Sequence, residues 1–189
     1  LTKKRQFAAA ELAHRVTEAM QTLAMAGGRL EVALVPVREP ASHGLEQLEL
    51  RVATHPKQPL GPLARVASGG ELSRIALAIQ VVASEAGDVG TLVFDEVDSG
   101  IGGAVAATVG SLLQKLAARR QVLCVTHLPQ VAAFADTHFR VTKAGNRDAV
   151  TSELARLSAG ERVDELARML GGAAVTAKTR AHAKELYEL

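Results

Sequence analysis

The ten residues 91–100, TLVFDEVDSG, join an apolar strand to an acidic turn. A short, continuous apolar run such as 91–94 is typical of a strand in a parallel sheet. Asp95 and Glu96 follow at the carboxyl end of that strand, where open α/β sheets present their ligand sites. An aspartate there can hold Mg²⁺, and a glutamate one residue later can polarise an attacking water. The stretch predicts an α/β fold with an acidic site, although a solvated acidic turn has the same pattern.

A glycine-rich bend, a helix and a second apolar strand follow the acidic turn. The helix is predicted over about 104–118 and the strand over 121–126. This order predicts two parallel strands joined by a right-handed crossover. His127 ends the second strand, and we expect it at the same sheet edge as the carboxylates, where it could hydrogen-bond a phosphate or orient a water. A lone histidine is otherwise usually structural or exposed.

A serine and two glycines open a helix upstream of this unit. Apolar residues recur on one helical face from Leu72 to Ala83, directly after Ser68–Glu71. Free backbone N–H groups and the helix dipole make such a start a candidate anion site. Gly69 and Gly70 would let the backbone approach phosphate oxygens, while the serine could donate its hydroxyl or only cap the helix.

Further elements are predicted on both sides of this centre. They are a helix over 9–26, strands near 29–37 and 46–54 with a turn at 40–44, a short helix from 129, a strand near 138–143, a helix with a capping box at 158–161, and a last helix. The first helix carries small or apolar residues at spacings of three and four, which fits either a coiled-coil seam or an amphipathic helix lying on its own domain.

Composition limits the class of protein. The 189 residues suit about one domain, and 48% apolar with 22% charged residues is typical of an ordered globular chain. A net charge of +2 argues against a surface covered throughout by nucleic-acid contacts. The single cysteine, Cys124, excludes an internal disulfide and a multi-cysteine metal site. No apolar run approaches the roughly 18 residues that span a bilayer, so we expect a cytoplasmic protein without a membrane partner.

The order of these motifs resembles that of an ABC-type ATPase. Ser68–Glu71 resembles the signature motif, and Asp95 with Glu96 resembles Walker B and its following glutamate. Asp98–Ser99 would be the D-loop and His127 the switch histidine. Each motif is weak alone, and their common order makes the resemblance specific.

The wider sequence resembles the RecN family of SMC-like bacterial DNA-repair proteins. The matching text is VASGGELSR at 66–74, FDEVDSG at 94–100, VTHLPQ at 125–130 and LARMLGG at 166–172. The resemblance implies the carboxyl-terminal lobe of an ABC-type ATPase head, with a mostly parallel sheet flanked by helices. Residues 1–27 would end a coiled-coil arm, and 28–189 would form the head lobe.

The resemblance also implies roles for the site residues. Asp95 would help to hold Mg²⁺ through water, Glu96 would be the general base, and His127 would sense the γ-phosphate. The signature residues would contact ATP held mainly by a second head; these are Ser68, Gly69, Gly70 and Glu71. Asp98 and Ser99 would act across the same interface, whereas Arg74 matches the family text without an assigned role.

The chain lacks the loop Gly-x-x-x-x-Gly-Lys-Ser/Thr, which cradles nucleotide phosphates, and it starts on Leu1. We therefore expect a carboxyl-terminal part that binds ATP poorly alone and does not hydrolyse it. Implied cofactors are ATP and Mg²⁺. Implied partners are the protein's own amino-terminal head lobe with Walker A, the second head of a homodimer, and double-stranded DNA ends.

The expected function is ATP hydrolysis on head dimerisation, driving repair of DNA double-strand breaks at the nucleoid. The alternatives are the head lobe of another SMC-like ATPase or of a transporter, and a non-catalytic dimerisation or DNA-interaction scaffold. Two basic clusters, at 3–5 and 115–120, are either DNA contacts or solvated charges.

Overall fold

The computed structural model describes residues 1–65, 69–83, 89–146, 149–172 and 174–188. The chain forms two compact units, Leu1–Val125 and Thr126–Leu189.

The first unit begins with helix α1, Thr2–Gln21. Val16 and Met20 are fully buried on the face that packs against strand β1, Arg29–Ala41. The helix starts earlier than predicted and ends five residues sooner. Its end is set by Gln21, whose side chain accepts a hydrogen bond from Gly27 N at 2.7 Å and donates to Gly28 O at 2.9 Å. These bonds hold the following turn, where Gly27 adopts a φ of +75° that favours glycine.

An antiparallel hairpin follows α1. Strand β1 pairs with β2, Gly44–Ala53, in a register that places Val32 opposite Leu50. A short strand β3, Gly61–Pro62, joins the other edge of β2 and leads into a 3₁₀ turn at Leu63–Arg65. The two predicted strands and their connecting turn are confirmed, and the hairpin extends further than the sequence pattern indicated.

The central elements of the first unit match their predicted order. Helix α2 is Gly69–Ala83, β4 is Thr91–Phe94, α3 is Gly103–Ala117 and β5 is Gln121–Cys124. Strands β4 and β5 are parallel and in register. Strand β5 is two residues shorter than predicted. Val125 N still donates to Phe94 O at 3.0 Å, and the side chain of Thr126 then accepts from Leu128 N at 3.0 Å, which turns the chain.

The α/β fold class is confirmed, but parallel pairing is less extensive than predicted. Among the described residues, it is confined to β4 and β5, because the remaining strands pair antiparallel through shorter connections. The two parallel strands are also not buried on both faces, since Val93 is 66% and Leu123 is 48% exposed.

The described residues of the second unit form one hairpin and three helices. They are α4, Pro129–Ala132; β6, Phe139–Asn146; β7, Ala149–Arg156; α5, Ala159–Gly171; and α6, Ala177–Tyr187. Leu166, Ala167 and Ala183 form its buried core together with Ala132. The predicted capping box is confirmed, with Ser158 N donating to Glu161 Oε2 at 2.8 Å. Strand β7 was not predicted, because its polar centre, TSE at 151–153, hides the strand pattern.

Within the described part of the chain, we find no helix with the length and apolar character needed to span a membrane.

Candidate functional site

The first turn of α2 packs directly against the acidic turn that follows β4. Ser73 Oγ donates to Asp95 O at 2.8 Å, and Arg74 Nη1 donates to Ser99 O at 2.6 Å. Two neighbouring side chains of one helix therefore hold the two ends of the turn 95–99. The signature-like helix start and the carboxylate pair form one local structure in the first unit.

This close packing requires a glycine at position 70 of α2. A Cβ added at Gly69 would lie 2.8 Å from Glu96 Oε2, and one added at Gly70 would lie 2.8 Å from Ser99 Cβ and 2.9 Å from Ser99 O. These distances are shorter than carbon atoms tolerate. Gly70 is thus needed for packing within its own chain, besides the predicted approach to phosphate, whereas a side chain at position 69 would only displace the exposed end of Glu96.

The acidic turn has an unusual backbone conformation. Glu96 has a φ of +54°, in the left-handed region that costs a residue other than glycine about 1–2 kcal/mol. Asp95 Oδ1 accepts from Glu96 N at 3.0 Å, and Glu96 O accepts from Ser99 N at 3.0 Å. These bonds maintain the strained conformation, which is the kind of strain that occurs at functional sites. The sequence pattern did not reveal it.

The acidic side chains of the turn differ in exposure. Asp95 and Glu96 are exposed, as a metal ligand and a general base need to be, whereas Asp98 is only 2% exposed. Asp98 affects its neighbourhood through charge. Burial first, and then the charges of Asp98 and Asp95, raise the pKa of the Cys124 thiol to about 12. Cys124 therefore stays protonated and is not a nucleophile.

The electrostatics of α2 centre on Arg74, which is 5% exposed. Burial lowers the pKa of its guanidinium, and the charge of Glu71 partly offsets this effect. Glu71 itself lies 3.9 Å from His55 Nε2. Among the described residues, Arg74 Nε has no hydrogen-bond partner. A buried guanidinium with one hydrogen-bonded nitrogen and one unsatisfied nitrogen is costly, so its retention calls for an explanation.

The remaining predicted site residues stay predictions. Ser68 lies outside the described residues. His127 is exposed and belongs to the second unit. The neighbouring Thr126 has a local structural role, because its hydroxyl accepts the Leu128 N–H.

The site offers Mg²⁺ isolated carboxylate ligands and not a preformed cluster of them. The described residues bring no three His, Cys, Asp or Glu side chains together in a way that could hold a metal. Asp95 can supply one exposed carboxylate, and Mg²⁺ commonly uses one or two protein carboxylates with waters and nucleotide phosphates. The residues therefore fit a metal that arrives with nucleotide, and they do not form a complete protein cage.

Sequence reasoning missed the functions of Ser73 and Arg74. Both lie one helical turn after Gly70, at i+3 and i+4, so they share its face of α2. That spacing could have indicated that both side chains face the same neighbour as Gly70. Their partners, however, lie more than twenty residues away in sequence, and only the packing of α2 on the turn identifies them.

Sequence comparison agrees with these motifs. No family model matches the chain. The DNA repair protein RecN of Xylella fastidiosa strain 9a5c is 46% identical over 190 residues, covering 100% of this chain and 34% of that protein. RecN of Deinococcus radiodurans is 44% identical over 186 residues, covering 98% and 32%.

The chain belongs to the RecN family. It spans about a third of the length of these curated RecN relatives.

Comparison with solved structures confirms the fold. The Smc head domain with a coiled coil and joint from Pyrococcus yayanosii matches with a TM-score of 0.62 and 23% identity, over 86% of this chain and 29% of that one. A solved chain from work on ATP-driven dimerization and DNA-stimulated activation of SMC ATPases gives 0.50 and 23%, over 87% and 95%. The chain therefore has the fold of an SMC-type ABC ATPase head lobe.

Proposed function

We propose that this chain is the carboxyl-terminal lobe of an ATPase head, and that the full-length protein hydrolyses ATP between two such heads during repair of DNA double-strand breaks. The observation that carries the proposal is the packing of the α2 start on the turn 95–99. This packing joins a candidate phosphate-contacting helix start to an exposed carboxylate pair. The names of the RecN relatives and the SMC-type fold support the same reaction.

Each site residue takes a defined role in this proposal. Asp95 supplies a carboxylate toward Mg²⁺, through water, and Glu96 accepts the proton of the attacking water. Bound Mg²⁺ neutralises charge on the ATP phosphates. The signature segment Ser68–Glu71 donates backbone N–H groups to the nucleotide of the second head.

The other predicted residues complete the interface between heads. His127 senses the γ-phosphate, and the D-loop residues Asp98 and Ser99 act across the same interface. Because Asp98 is buried in the first unit, its contribution passes through the backbone of its turn or requires the turn to open. Ser99 is exposed and can reach a partner directly.

An amino-terminal lobe that carries Walker A is the first partner that the structure favours. Val93, Leu123 and Val125 are 66%, 48% and 63% exposed, and they lie on one face of the β4–β5 pair. Three adjacent exposed aliphatic side chains on a parallel sheet indicate a surface that another layer covers. This lobe would also supply the phosphate-binding loop. The isolated chain should therefore bind ATP weakly and show no hydrolysis.

Residues 1–27 are proposed as the end of a coiled-coil arm, and 28–189 as the head lobe. The carboxyl-terminal half of α1 is buried against β1, while Phe7, nearer its start, is 74% exposed. The first turn of α1 is nevertheless tied to the β1–β2 hairpin, since Arg5 Nη1 donates to Glu46 Oε2 at 3.0 Å. The helix therefore lies along the hairpin, and the arm assignment rests on the RecN resemblance alone. DNA ends are the proposed substrate of the full-length protein, and we place it in the cytoplasm at the nucleoid.

The proposal is tested by ATP hydrolysis of the full-length protein. We expect Glu96→Gln to lower kcat by about 10²–10⁴-fold, because it removes the general base. Glu18→Gln is the matched control, since Glu18 is an exposed glutamate of α1 that pairs only with His14 among the described residues, and it should leave kcat unchanged. Full activity in Glu96→Gln would contradict the assignment. A full-length protein without ATPase activity would favour the scaffold alternative.

A further inference from the structure

Arg74 is a buried charged group beside the candidate site that the proposed chemistry leaves unused. It lies on α2 directly after Ser73 and one turn beyond Gly70, and it is 5% exposed. A guanidinium is strongly hydrated in the unfolded chain and stays charged at neutral pH, so its burial needs compensation. Among the described residues, its one direct hydrogen bond joins Nη1 to Ser99 O at 2.6 Å, and Nε has no partner. Stability alone would be served as well by an apolar side chain.

The contact of Arg74 links two parts of the proposed site. Ser99 is the last residue of the acidic turn, and its amide closes that turn on Glu96 O at 3.0 Å. At the same place, a Cβ on Gly70 would lie 3.2 Å from Arg74 Nη1 and 2.9 Å from Ser99 O. The guanidinium, the second signature glycine and the Ser99 carbonyl are therefore in mutual contact. A shift of any one of them displaces the others.

We infer that Arg74 is a positioning residue, which fixes the Ser99 carbonyl against the first turn of α2 so that the signature segment and the acidic turn move as one block. The inference rests on the proposed ATPase function. In a two-head site, the helix start faces one nucleotide and the acidic turn serves the other, so the block determines whether both are aligned together. Arg74 touches neither ATP nor Mg²⁺ in this role.

Two substitutions in the full-length protein separate positioning from general stability. Arg74→Met keeps most of the side-chain volume but removes the donor, and Arg74→Lys keeps one donor within reach of Ser99 O. We expect Met to lower kcat by about 10–100-fold, the scale of a slightly misplaced reacting group, while the Kd for ATP stays within about twofold. We expect Lys to recover most of the lost kcat.

Arg29→Met is the matched control. Arg29 also donates to backbone carbonyls, of Pro56 at 3.3 Å and Gln58 at 3.1 Å, but it lies outside the proposed site. This variant should keep the kcat of the unmodified protein. All rates are measured on protein shown to be folded at the assay temperature.

The outcomes distinguish the two proposals. An unmodified protein without ATPase activity refutes the proposed function. If it is active, the inference about Arg74 is overturned by an unchanged kcat in Arg74→Met, by equal losses of kcat and ATP affinity, or by a Lys variant as impaired as Met.

Hydrogen exchange covers the case in which Arg74→Met does not fold. In the unmodified full-length protein, ATP should change the protection of segments 69–74 and 96–101 together. A change in 96–101 without one in 69–74 would show that the two segments move separately, and would overturn the inference.

Discussion

Arg74 in the first unit and Arg162 in the second both donate to backbone carbonyls, and their surroundings differ. Arg162, on α5, donates to the carbonyls of Ala133 and Ala135 at the end of α4, and its guanidinium lies 4.8 Å from the ring centre of Tyr187. A cation at the carboxyl end of a helix is a common stabilising arrangement. Arg162 therefore stabilises the packing of α4, α5 and α6.

Among the described residues, Arg74 lacks the aromatic contact and the second carbonyl that Arg162 has, although the Nε of each arginine is without a hydrogen-bond partner. It is more deeply buried than Arg162, bonds one carbonyl, and contacts the residues that we propose to handle ATP. The two arginines thus have different roles: Arg162 stabilises packing in the second unit, and Arg74 fixes the geometry of the proposed site in the first. If that distinction is correct, changes around Arg74 will affect catalysis first, and changes around Arg162 will affect stability first.

Among changes around the two arginines, the largest effect is expected for Gly70→Ala. The new Cβ would lie 2.8 Å from Ser99 Cβ and 2.9 Å from Ser99 O, so the acidic turn must move away from α2. We expect kcat for ATP hydrolysis by the full-length protein to fall about 100-fold, as for a displacement of about 1 Å. Gly160→Ala is the control, because nothing lies within 4 Å of its added Cβ. Equal activity of the two variants would disprove the close packing.

A smaller and different effect is expected for Arg162→Met. The substitution removes the bonds to the end of α4 and the contact with Tyr187, which together should lower the free energy of unfolding by about 2 kcal/mol. Denaturant unfolding of the full-length protein measures the loss. The kcat of the folded variant should stay within about twofold of the unmodified value. A tenfold drop in kcat without a change in stability would contradict the idea that Arg162 serves stability and Arg74 serves catalysis.

A pH-dependent effect is expected from Glu165, which is 5% exposed. Hydrogen bonds from Arg168 hold the pKa of its carboxyl below the ordinary value of 4.5, with smaller contributions from Arg140 and His138. Because the pKa is lower in the folded state, this stabilisation is present above pH 4.5 and is lost as the pH falls through the folded pKa.

Glu165→Gln should therefore lower the free energy of unfolding at pH 7 by about 1 kcal/mol, since both arginines are partly solvated. The loss should shrink below pH 4.5. Unfolding curves at several pH values test this expectation, with the exposed Glu188→Gln as control. A loss that stays constant down to the lowest pH would exclude an electrostatic origin.

The smallest effect is expected at Cys124. Its pKa of about 12 keeps the thiol protonated at pH 8, so a disulfide reagent should label it much more slowly in the folded than in the unfolded protein. Mass spectrometry of the Cys124 peptide gives both rates. Cys124→Ala should leave kcat within about twofold. Equal labelling rates in the two states would show that the thiol beside the acidic turn is accessible.

Local patterns predicted the parts of the fold that depend on local physics. The apolar runs of β4 and β5, the glycine start of α2, and the capping box at Ser158 all agree with the structure. Strand β7 was missed because its polar residues mask the strand pattern. The end of α1 was misplaced because Gln21 ends the helix through bonds to residues six and seven positions later.

The geometry of the candidate site was less predictable than its residues. Asp95, Glu96 and the glycines were identified from their order in the chain. The left-handed backbone of Glu96 is held by hydrogen bonds within its own turn, whereas the Arg74 bond to Ser99 joins segments 25 residues apart, and no single-sequence pattern records either. Long-range contacts of this kind determine which motif residues touch.

The most direct test of the account is a complementation assay with two inactive full-length variants. One carries Glu96→Gln and the other carries Ser68→Arg in the signature segment. If each site uses the carboxylates of one head and the signature of the other, a mixed dimer has one intact site, and mixing should restore ATP hydrolysis well above either variant alone. If mixed dimers form and stay inactive, the two motifs do not act across a pair of heads, and the account is contradicted.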